Sequence, residues 1–464
     1  MKTNKSKSKK SIIKDKKIFY NLYDIKRGLN YKLSKSKINK KSIKKDNKTK
    51  KDYKKTKKLN LLKSLDKLKS IKNNQGYIFK ELKDLESKHI SGFEIKESLL
   101  NKLSLRKLPK NIKIVSEGYA RGVSAYALQN YKLPNKTSNA YMKLWEIYNT
   151  VHNLMPNKKH VKVFHLAEAP GQWINCTRHY LETKKDKVEE YDWMANSLNS
   201  KHPSNIKKFG KGIFSDEYGL IKKYPDRWLY GSDNTGDITK GKNVKWFHNF
   251  VKEWTQNNKF KVDLITGDAG MGSGANVKLI DLQKIDYAQL CMTASIASKG
   301  SNCVLKHFSY LNMDFIESEK GSGFFISFLY LYNLMFEEVR LIKPLTSSPN
   351  SSEFYVVGLQ FIGIDKAILN KLIDCLDNFK VNNAFFKKEE IPESFSKQII
   401  EFLEKLYNLN NSQFDLVNML LTCLVNPDPR ILKETNCKKY LDQEFIKKFQ
   451  KKKYKEWIKT YKFE

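Results

Sequence analysis

Short apolar runs alternate with amphipathic stretches over residues 137–364. The runs that predict buried strands cover residues 161–169, 193–198, 262–267, 303–308, 339–342 and 354–362. The stretches with apolar residues at helical spacing cover residues 139–152, 172–184, 281–298 and 324–336. Strands that alternate with helices predict a mostly parallel sheet covered by helices on both faces. We therefore expect an α/β fold in this part of the chain.

The flanking regions show different patterns. Only helical stripes appear in residues 76–136 and 365–464, which predicts a helical N-terminal extension and a helical, basic C-terminal region. Residues 1–75 are a Lys, Ser, Asn and Ile mixture with almost no apolar periodicity. Such a segment buries too little surface to offset its ordering entropy, so a largely disordered basic arm is predicted. The arm could be an RNA tether, a targeting signal or a plain solvated tail.

The charge balance is strongly basic, with 87 Lys plus Arg against 49 Asp plus Glu and a formal net charge of +38. This excess favours a polyanionic partner, because each neutralised phosphate releases counterions. Nucleic acid is the first candidate and an anionic membrane surface the second. An AT-rich genome also enriches Lys, Asn and Ile. The longest apolar stretch, 324–336, is too short to span a bilayer, so we expect no membrane insertion.

The six cysteines form neither a CxxC pair nor a zinc-ligand spacing, and the eight histidines show no ligand spacing. We therefore expect no metal site and mostly buried thiols in a reducing intracellular compartment. The basic N-terminus leads into no apolar segment, which argues against a secretory signal. Both cytoplasm, including a viral factory or virion, and nucleus fit these features.

A strand-to-helix turn follows the run 161–169, with the sequence Glu-Ala-Pro-Gly-Gln-Trp over residues 168–173. Gly171 allows the backbone to approach a ligand closely, and ligands bind at the carboxyl ends of strands in open α/β sheets. Glu168 could pair with a cationic amino group. A proline–glycine turn on its own is common in α/β loops, so this motif gains weight only beside others.

A second loop, residues 230–239, places Asp233 and Asp237 among glycines. Their carboxylates could accept hydrogen bonds from ribose hydroxyls or an adenine amine. The same stretch also fits an ordinary Asx and glycine turn. Tyr191 lies near the second predicted strand, where its ring could flank an adenosine.

Three charged residues stand at predicted strands. Asp268 follows the run 262–267, Lys306 lies within the strand 303–308, and Glu353 opens the run 354–362. A lysine inside an apolar strand is costly unless it is paired. Each residue alone fits a strand-end charge that reaches solvent. Together they predict a site.

Taken in order, these residues resemble the FtsJ-like ribose 2′-O-methyltransferase family, whose catalytic tetrad reads Lys-Asp-Lys-Glu. The resemblance places the tetrad at Lys143, Asp268, Lys306 and Glu353. The stretches 168–171, 193–199 and 234–238 are similar to the cap-specific members of eukaryotes and large DNA viruses, the cap-2 subgroup in particular. One departure is Gln172, where many members carry a second glycine.

The resemblance implies a Rossmann-like S-adenosylmethionine-dependent methyltransferase fold. The residues it implies for S-adenosyl-L-methionine are Glu168, Pro170, Gly171, Gln172, Trp173, Tyr191, Asp233, Asp237 and Asp268. The implied reaction is methyl transfer to a ribose 2′-hydroxyl of RNA, at the first or second nucleotide of capped mRNA. A ribosomal or transfer RNA substrate and a non-catalytic RNA-binding scaffold are the alternatives, and other capping or transcription proteins are possible partners.

Lys306 is the implied general base, with Asp268 and Lys143 as orienting partners and Glu353 as a supporting clamp. A lysine begins near pKa 10.4, so a base working near neutral pH needs a lower value. Burial and the second cation favour neutral Lys306, whereas the two carboxylates favour its charged form. The sequence does not fix this balance.

Overall fold

The protein is described by a computed structural model over residues 29–34, 48–79, 83–131, 133, 137–210, 215–257, 259–270, 278–309, 321–426 and 442–463. An eight-stranded sheet forms its centre, in the order β1-β7-β8-β6-β5-β2-β3-β4. The strands are β1 (Leu29–Leu33), β2 (His160–Leu166), β3 (Glu190–Asn196), β4 (Trp228–Leu229), β5 (Leu264–Gly267), β6 (Asn302–Phe308), β7 (Phe336–Lys343) and β8 (Glu353–Phe361).

The helices of the N-terminal half are α1 (Lys48–Lys69), α2 (Lys83–Lys102), α3 (Lys110–Ser116), α4 (Val123–Asn130), α5 (Asn139–Thr150), α6 (Gln172–Lys184), α7 (Pro203–Phe209) and α8 (Leu220–Lys223). Those that follow are α9 (Gly241–Trp254), α10 (Leu279–Ile296), α11 (Gly321–Met335), α12 (Lys366–Asp377), α13 (Glu393–Val425) and α14 (Gln443–Thr460). Short 3-10 helices cover Gly118–Arg121, Pro225–Arg227 and Lys388–Glu390. In the ranges given above, no helix is both long and apolar enough to cross a membrane.

Strand direction decides where the side chains of interest meet. The strands β4, β3, β2, β5 and β6 pair in parallel, whereas β8 pairs antiparallel with β6 and β7, and β1 pairs antiparallel with β7. Phe308, which ends β6, lies opposite Glu353, which begins β8. The start of β8 therefore lies at the edge where the parallel strands end. The predicted α/β fold is confirmed.

The side chains of β2 alternate between two separate cores, one on each face of the sheet. Phe164 and Leu166 of β2 pack in a core with α1, α9, α10, α11 and α12, whereas Val161 and Val163 pack in a core with α3, α4, α5, α6 and α14. The long helix α13 contributes its first half to one core and its second half to the other. The sheet is thus covered on both faces, as period-2 burial requires.

The prediction of a disordered arm over residues 1–75 is wrong for two elements. Strand β1 pairs with the edge strand β7 along its whole length, and Leu33 is buried there. Helix α1 packs against α11 and α12 and buries Leu68. Tertiary contacts supply the burial that the local composition does not indicate. Residues 1–28 and 35–47 of the arm lie outside the described part of the chain.

Candidate active site

The first feature of the site is an ion pair at the end of β5. The Lys306 Nζ lies 3.0 Å from Asp268 Oδ1 and donates a hydrogen bond of 2.9 Å to the Asp268 carbonyl. Lys306 comes from β6, and its side chain is only 12 % exposed. The backbone of Gly270 passes close by, since a Cβ there would stand 2.9 Å from the lysine Nζ. The buried ammonium is thus paired, as its position in an apolar strand requires.

A second ion pair joins α5 to β8. The Lys143 Nζ lies 2.7 Å from Glu353 Oε1 and 3.0 Å from Oε2. The Oε1 atom also accepts hydrogen bonds from the Ser347 hydroxyl at 3.0 Å and the Tyr355 hydroxyl at 3.1 Å. Such a fully paired carboxylate is held in one position, which suits a supporting role.

Tyr355 lies between the two ion pairs. It stands opposite Lys306 in the β6–β8 register, and its phenol interacts electrostatically with both Asp268 and Glu353. Tyr355 was not among the residues predicted from the sequence. Its position two residues after Glu353 was the available signal, because residues i and i+2 of a strand share a face.

The charges of the site set opposite pKa changes. Burial lowers the pKa of Lys306, but the charges of Asp268 and Glu353 outweigh it, so the value lies above that of an ordinary lysine. Burial raises the pKa of Glu353, but Lys143, Lys306 and Lys343 lower it to about 2. The two carboxylates therefore favour the protonated form of Lys306.

A third lysine, Lys343 at the end of β7, was also missed. Its Nζ donates hydrogen bonds of 2.7 Å to the carbonyls of both Ser351 and Glu353. Burial and the charge of Lys143 lower its pKa to about 7, although Glu353 acts in the opposite direction. From the sequence alone, a buried lysine at the end of a strand cannot be told from an exposed lysine in the same position.

The turn after β2 is closed by its own side chains. The Glu168 Oε1 accepts hydrogen bonds from the backbone N–H groups of Trp173 at 2.7 Å and Ile174 at 3.1 Å, at the start of α6. Burial raises the pKa of Glu168 well above its usual value, despite these two donors. In the structure Glu168 thus caps the helix, whereas the sequence had suggested a pairing with a cationic amino group.

The rest of the turn contacts two other elements. Gly171 has φ +111°, and a Cβ there would stand 2.4 Å from Leu220 Cδ1 of α8. Pro170 precedes it after a cis peptide bond. The Gln172 Oε1 accepts a hydrogen bond from the Ser138 N–H at 2.9 Å, and the Trp173 indole donates to the Ala140 carbonyl at 2.9 Å. The side chains of Gln172 and Trp173 therefore fasten the turn to α5.

Tyr191 approaches this edge through its side chain. It is the second residue of β3, near the opposite end of the strand, but its hydroxyl lies 2.6 Å from His165 Nε2 near the end of β2 and interacts electrostatically with Glu168. That it flanks an adenosine stays a prediction.

The loop 230–239 does reach the carboxyl edge. A Cβ on Gly236 would stand 1.8 Å from the Ser197 carbonyl, just after β3. The Asp233 carboxylate pairs with Lys240 at 2.7 Å, and Asp237 Oδ1 accepts hydrogen bonds from the N–H and hydroxyl of Thr239. The acids brace the loop in the structure, so the Asx and glycine turn predicted as an alternative is present.

Several buried polar atoms at this edge have no hydrogen-bond partner among the described residues. They are Ser197 Oγ after β3 and the hydroxyls of Thr137 and Ser138 at the start of α5. Buried polar groups are normally satisfied, so orphaned ones around a glycine turn mark a place for a polar ligand. No group of three His, Cys, Asp or Glu side chains that could hold a metal occurs in the part of the chain that the structure describes.

Proteins that are similar to this chain include methyltransferases. Residues 137–361 match the model of a family described as FtsJ-like methyltransferase. An uncharacterized protein of Acanthamoeba polyphaga mimivirus is 32% identical over 58% of this chain and 32% of its own length. A cap-specific mRNA (nucleoside-2′-O-)-methyltransferase 2 of Danio rerio is 28% identical over 67% of this chain and 40% of its own. A probable methyltransferase of African swine fever virus is 31% identical over 48% of each. The chain thus spans about a third to a half of the length of these relatives.

Proposed function

Because residues 137–361 belong to the FtsJ-like methyltransferase family, we propose that the protein transfers a methyl group from S-adenosylmethionine to a ribose 2′-hydroxyl of RNA. We propose capped mRNA as the substrate, at its first or second nucleotide. The observation that carries the reaction is the pair of adjoining ion pairs, Lys143–Glu353 and Lys306–Asp268, at the edge where the parallel strands end. The name of the Danio rerio relative supports the cap.

The residues proposed to hold the methyl donor border one another at this edge. They are the turn 168–171, Ser197 with its unpartnered hydroxyl, and Asp268. Gly171 lets the backbone hold this turn, because its φ of +111° suits glycine and a Cβ there would stand 2.4 Å from Leu220 Cδ1. The bound donor supplies an electrophilic methyl group and a positive charge, and that charge opposes protonation of Lys306.

In this proposal Lys306 removes the proton from the ribose hydroxyl, which is a poor nucleophile until it is deprotonated. Asp268 holds the amine through two contacts, one to its carboxylate and one to its carbonyl. Lys143, paired with Glu353, stabilises negative charge on the oxygen. Both functions require the rigid placement that the paired carboxylates provide.

RNA attraction is assigned to the basic surface. Helix α14 exposes four lysines, Lys447, Lys448, Lys451 and Lys452. The whole chain carries a net charge of +38. Such contacts bind phosphates without reading sequence and weaken as salt rises. The basic surface does not distinguish a capped RNA from other capping or transcription proteins as its partner. It does not distinguish cytoplasm from nucleus as the compartment either.

The test is transfer of a labelled methyl group to matched capped and uncapped RNAs, followed by nucleoside analysis. We expect label in a 2′-O-methylated nucleotide next to the cap. Lys306→Ala removes it, whereas Lys299→Ala, an exposed lysine just before the other end of β6, retains it. Equal labelling of uncapped RNA contradicts the cap and favours a ribosomal or transfer RNA. If the protein still binds the donor but transfers no methyl group, the proposed methyltransferase activity is contradicted and a non-catalytic RNA-binding scaffold is favoured.

A further inference from the structure

A buried glutamate stands one turn along α5 from Lys143. Glu146 is 1 % exposed and lies three residues after Lys143 on the same helix. A buried carboxylate is tolerated only when hydrogen bonds replace its hydration. The hydrogen-bond partners of Glu146 therefore indicate its structural role.

Glu146 binds two separate parts of the chain. Its Oε1 accepts a hydrogen bond from the Leu345 N–H at 2.6 Å, and its Oε2 accepts from the Thr346 N–H at 3.2 Å and hydroxyl at 3.1 Å. The same Oε2 accepts from the Trp457 indole of α14 at 3.1 Å. The carboxylate thus joins the loop between β7 and β8 to the C-terminal helix.

That loop leads directly into the site. Ser347, the next residue, donates to Glu353, and Lys343, the last residue of β7 before the loop, donates to the carbonyls of Ser351 and Glu353. Glu146 and Lys143 therefore attach one helix at both ends of the loop, to its first residues and to the carboxylate of Glu353, which follows it. Only residues 347–352 separate these two attachments, so a shift of the first is expected to reach the second.

The C-terminal end of the chain packs on the same helix. The Trp145 indole donates to the Tyr461 carbonyl at 2.9 Å, and the Trp145 ring lies 4.8 Å from that of Phe463. Tyr461 and Phe463 lie outside the segment 137–361 that matches the family model, whereas Trp145 lies inside it. The contact therefore joins the family segment to the C-terminal region.

We propose that Glu146 is a positioning residue that couples the C-terminal helix α14 to the loop 344–352 and, through it, to the Lys143–Glu353 pair. Burial raises the pKa of Glu146, and the hydrogen bonds from Leu345, Trp457 and Thr346 act against that rise. Removal of the indole donor takes one hydrogen bond from a buried carboxylate and breaks its link to α14, so the loop is held by Glu146 without the support of the C-terminal helix. The catalytic consequence rests on the function proposed above, whereas the coupling itself does not.

The coupling is tested by hydrogen exchange in Trp457→Phe, which removes the donor and keeps a ring. The matched control is Trp254→Phe, because the Trp254 indole also donates to a carboxylate, that of Asp192, at 3.1 Å. We expect peptides spanning 344–352 to exchange severalfold faster in Trp457→Phe and unchanged in the control. Unchanged exchange in both variants overturns the coupling, whether or not the protein proves to be an enzyme.

The catalytic consequence is tested by kinetics of the same two variants and of Glu146→Gln. We expect Trp457→Phe to lower kcat several-fold with KM for S-adenosylmethionine unchanged, and to add nothing in the Glu146→Gln background. Additive effects, or a change in KM for RNA alone, overturn the positioning role. Absence of methyl transfer by the unmodified protein refutes the proposed function, and the exchange result then decides the coupling alone.

Discussion

Lys306 and Tyr355 lie directly opposite each other on the antiparallel strands β6 and β8. The amine of the first binds Asp268, and the hydroxyl of the second binds Glu353. The register of these two strands therefore sets the spacing between the two ion pairs. A slip of one residue would turn one of the two side chains to the other face of the sheet.

Tyr355→Phe is expected to lower kcat roughly tenfold, because a hydrogen bond to a charged group contributes about 1.5–3 kcal/mol. Affinity for S-adenosylmethionine should change less than kcat, since the hydroxyl donates its hydrogen bond to Glu353, which is not among the residues proposed to hold the donor, although it also interacts with Asp268, which is. Steady-state kinetics and calorimetric titration check the two parts. The control is Tyr31→Phe, which removes a tyrosine donor to the exposed Glu401 carboxylate. Equal losses in both variants contradict the assignment.

Lys306 should give methyl transfer a rate that rises with pH. The carboxylates raise the pKa of Lys306 above that of an ordinary lysine, and only its neutral form accepts a proton. Single-turnover rates across a pH series check the slope. Lys306→Arg should fall by about 10²–10⁴-fold at every pH, because a guanidinium is always protonated. A flat profile, or an active arginine variant, rules out Lys306 as the base.

Gly171→Ala should weaken binding of S-adenosylmethionine, because the new Cβ stands 2.4 Å from Leu220 Cδ1 and the residue has φ +111°. The control Gly210→Ala also carries a positive φ, +87°, but meets nothing within 4 Å. The two variants separate steric contact from backbone strain. Titration calorimetry should show a loss in the first and normal affinity in the second. Normal affinity in Gly171→Ala contradicts the proposed approach of the cofactor.

Lys343 should make stability depend on pH. Burial lowers its pKa from 10.5 to about 7, so the unfolded chain binds one more proton than the folded protein between these values. Unfolding free energy of the natural protein, relative to Lys343→Met, should therefore rise as pH increases above about 7, by at most about 1.4 kcal/mol per unit. Urea unfolding from neutral to alkaline pH measures it. A constant difference contradicts the depressed value.

The alternation of strands and helices was predictable because the central strands β5, β6 and β8 are largely apolar. The helix over 172–184 and the strand ends near Asp268 and Glu353 follow the pattern closely. Strand β4 has only two residues and gives no pattern of its own, and β1 lies in a Lys-rich segment. Both form because a neighbouring strand supplies their hydrogen bonds, which local sequence does not record.

Asp268, Lys306 and Glu353 stood out in the sequence because they lie inside or beside apolar runs, whereas Lys143 came only from the resemblance to the family. Tyr355 and Glu146 did not stand out, since a buried tyrosine or a glutamate on an amphipathic helix has many ordinary explanations. As ligand contacts, Tyr191, Asp233 and Asp237 stay predictions. In the structure the Tyr191 hydroxyl contacts His165 on the neighbouring strand, and the two aspartates make hydrogen bonds within their own loop.

Strand β1 has a consequence for how the protein can be divided. It covers the outer edge of β7, where Leu29 pairs with Lys343. A fragment limited to residues 137–361 leaves the backbone N–H and C=O groups of that edge unpaired, and bare edges recruit strands from other molecules. Shortened versions of the chain should therefore aggregate, so the N-terminal segment protects solubility as well as shape.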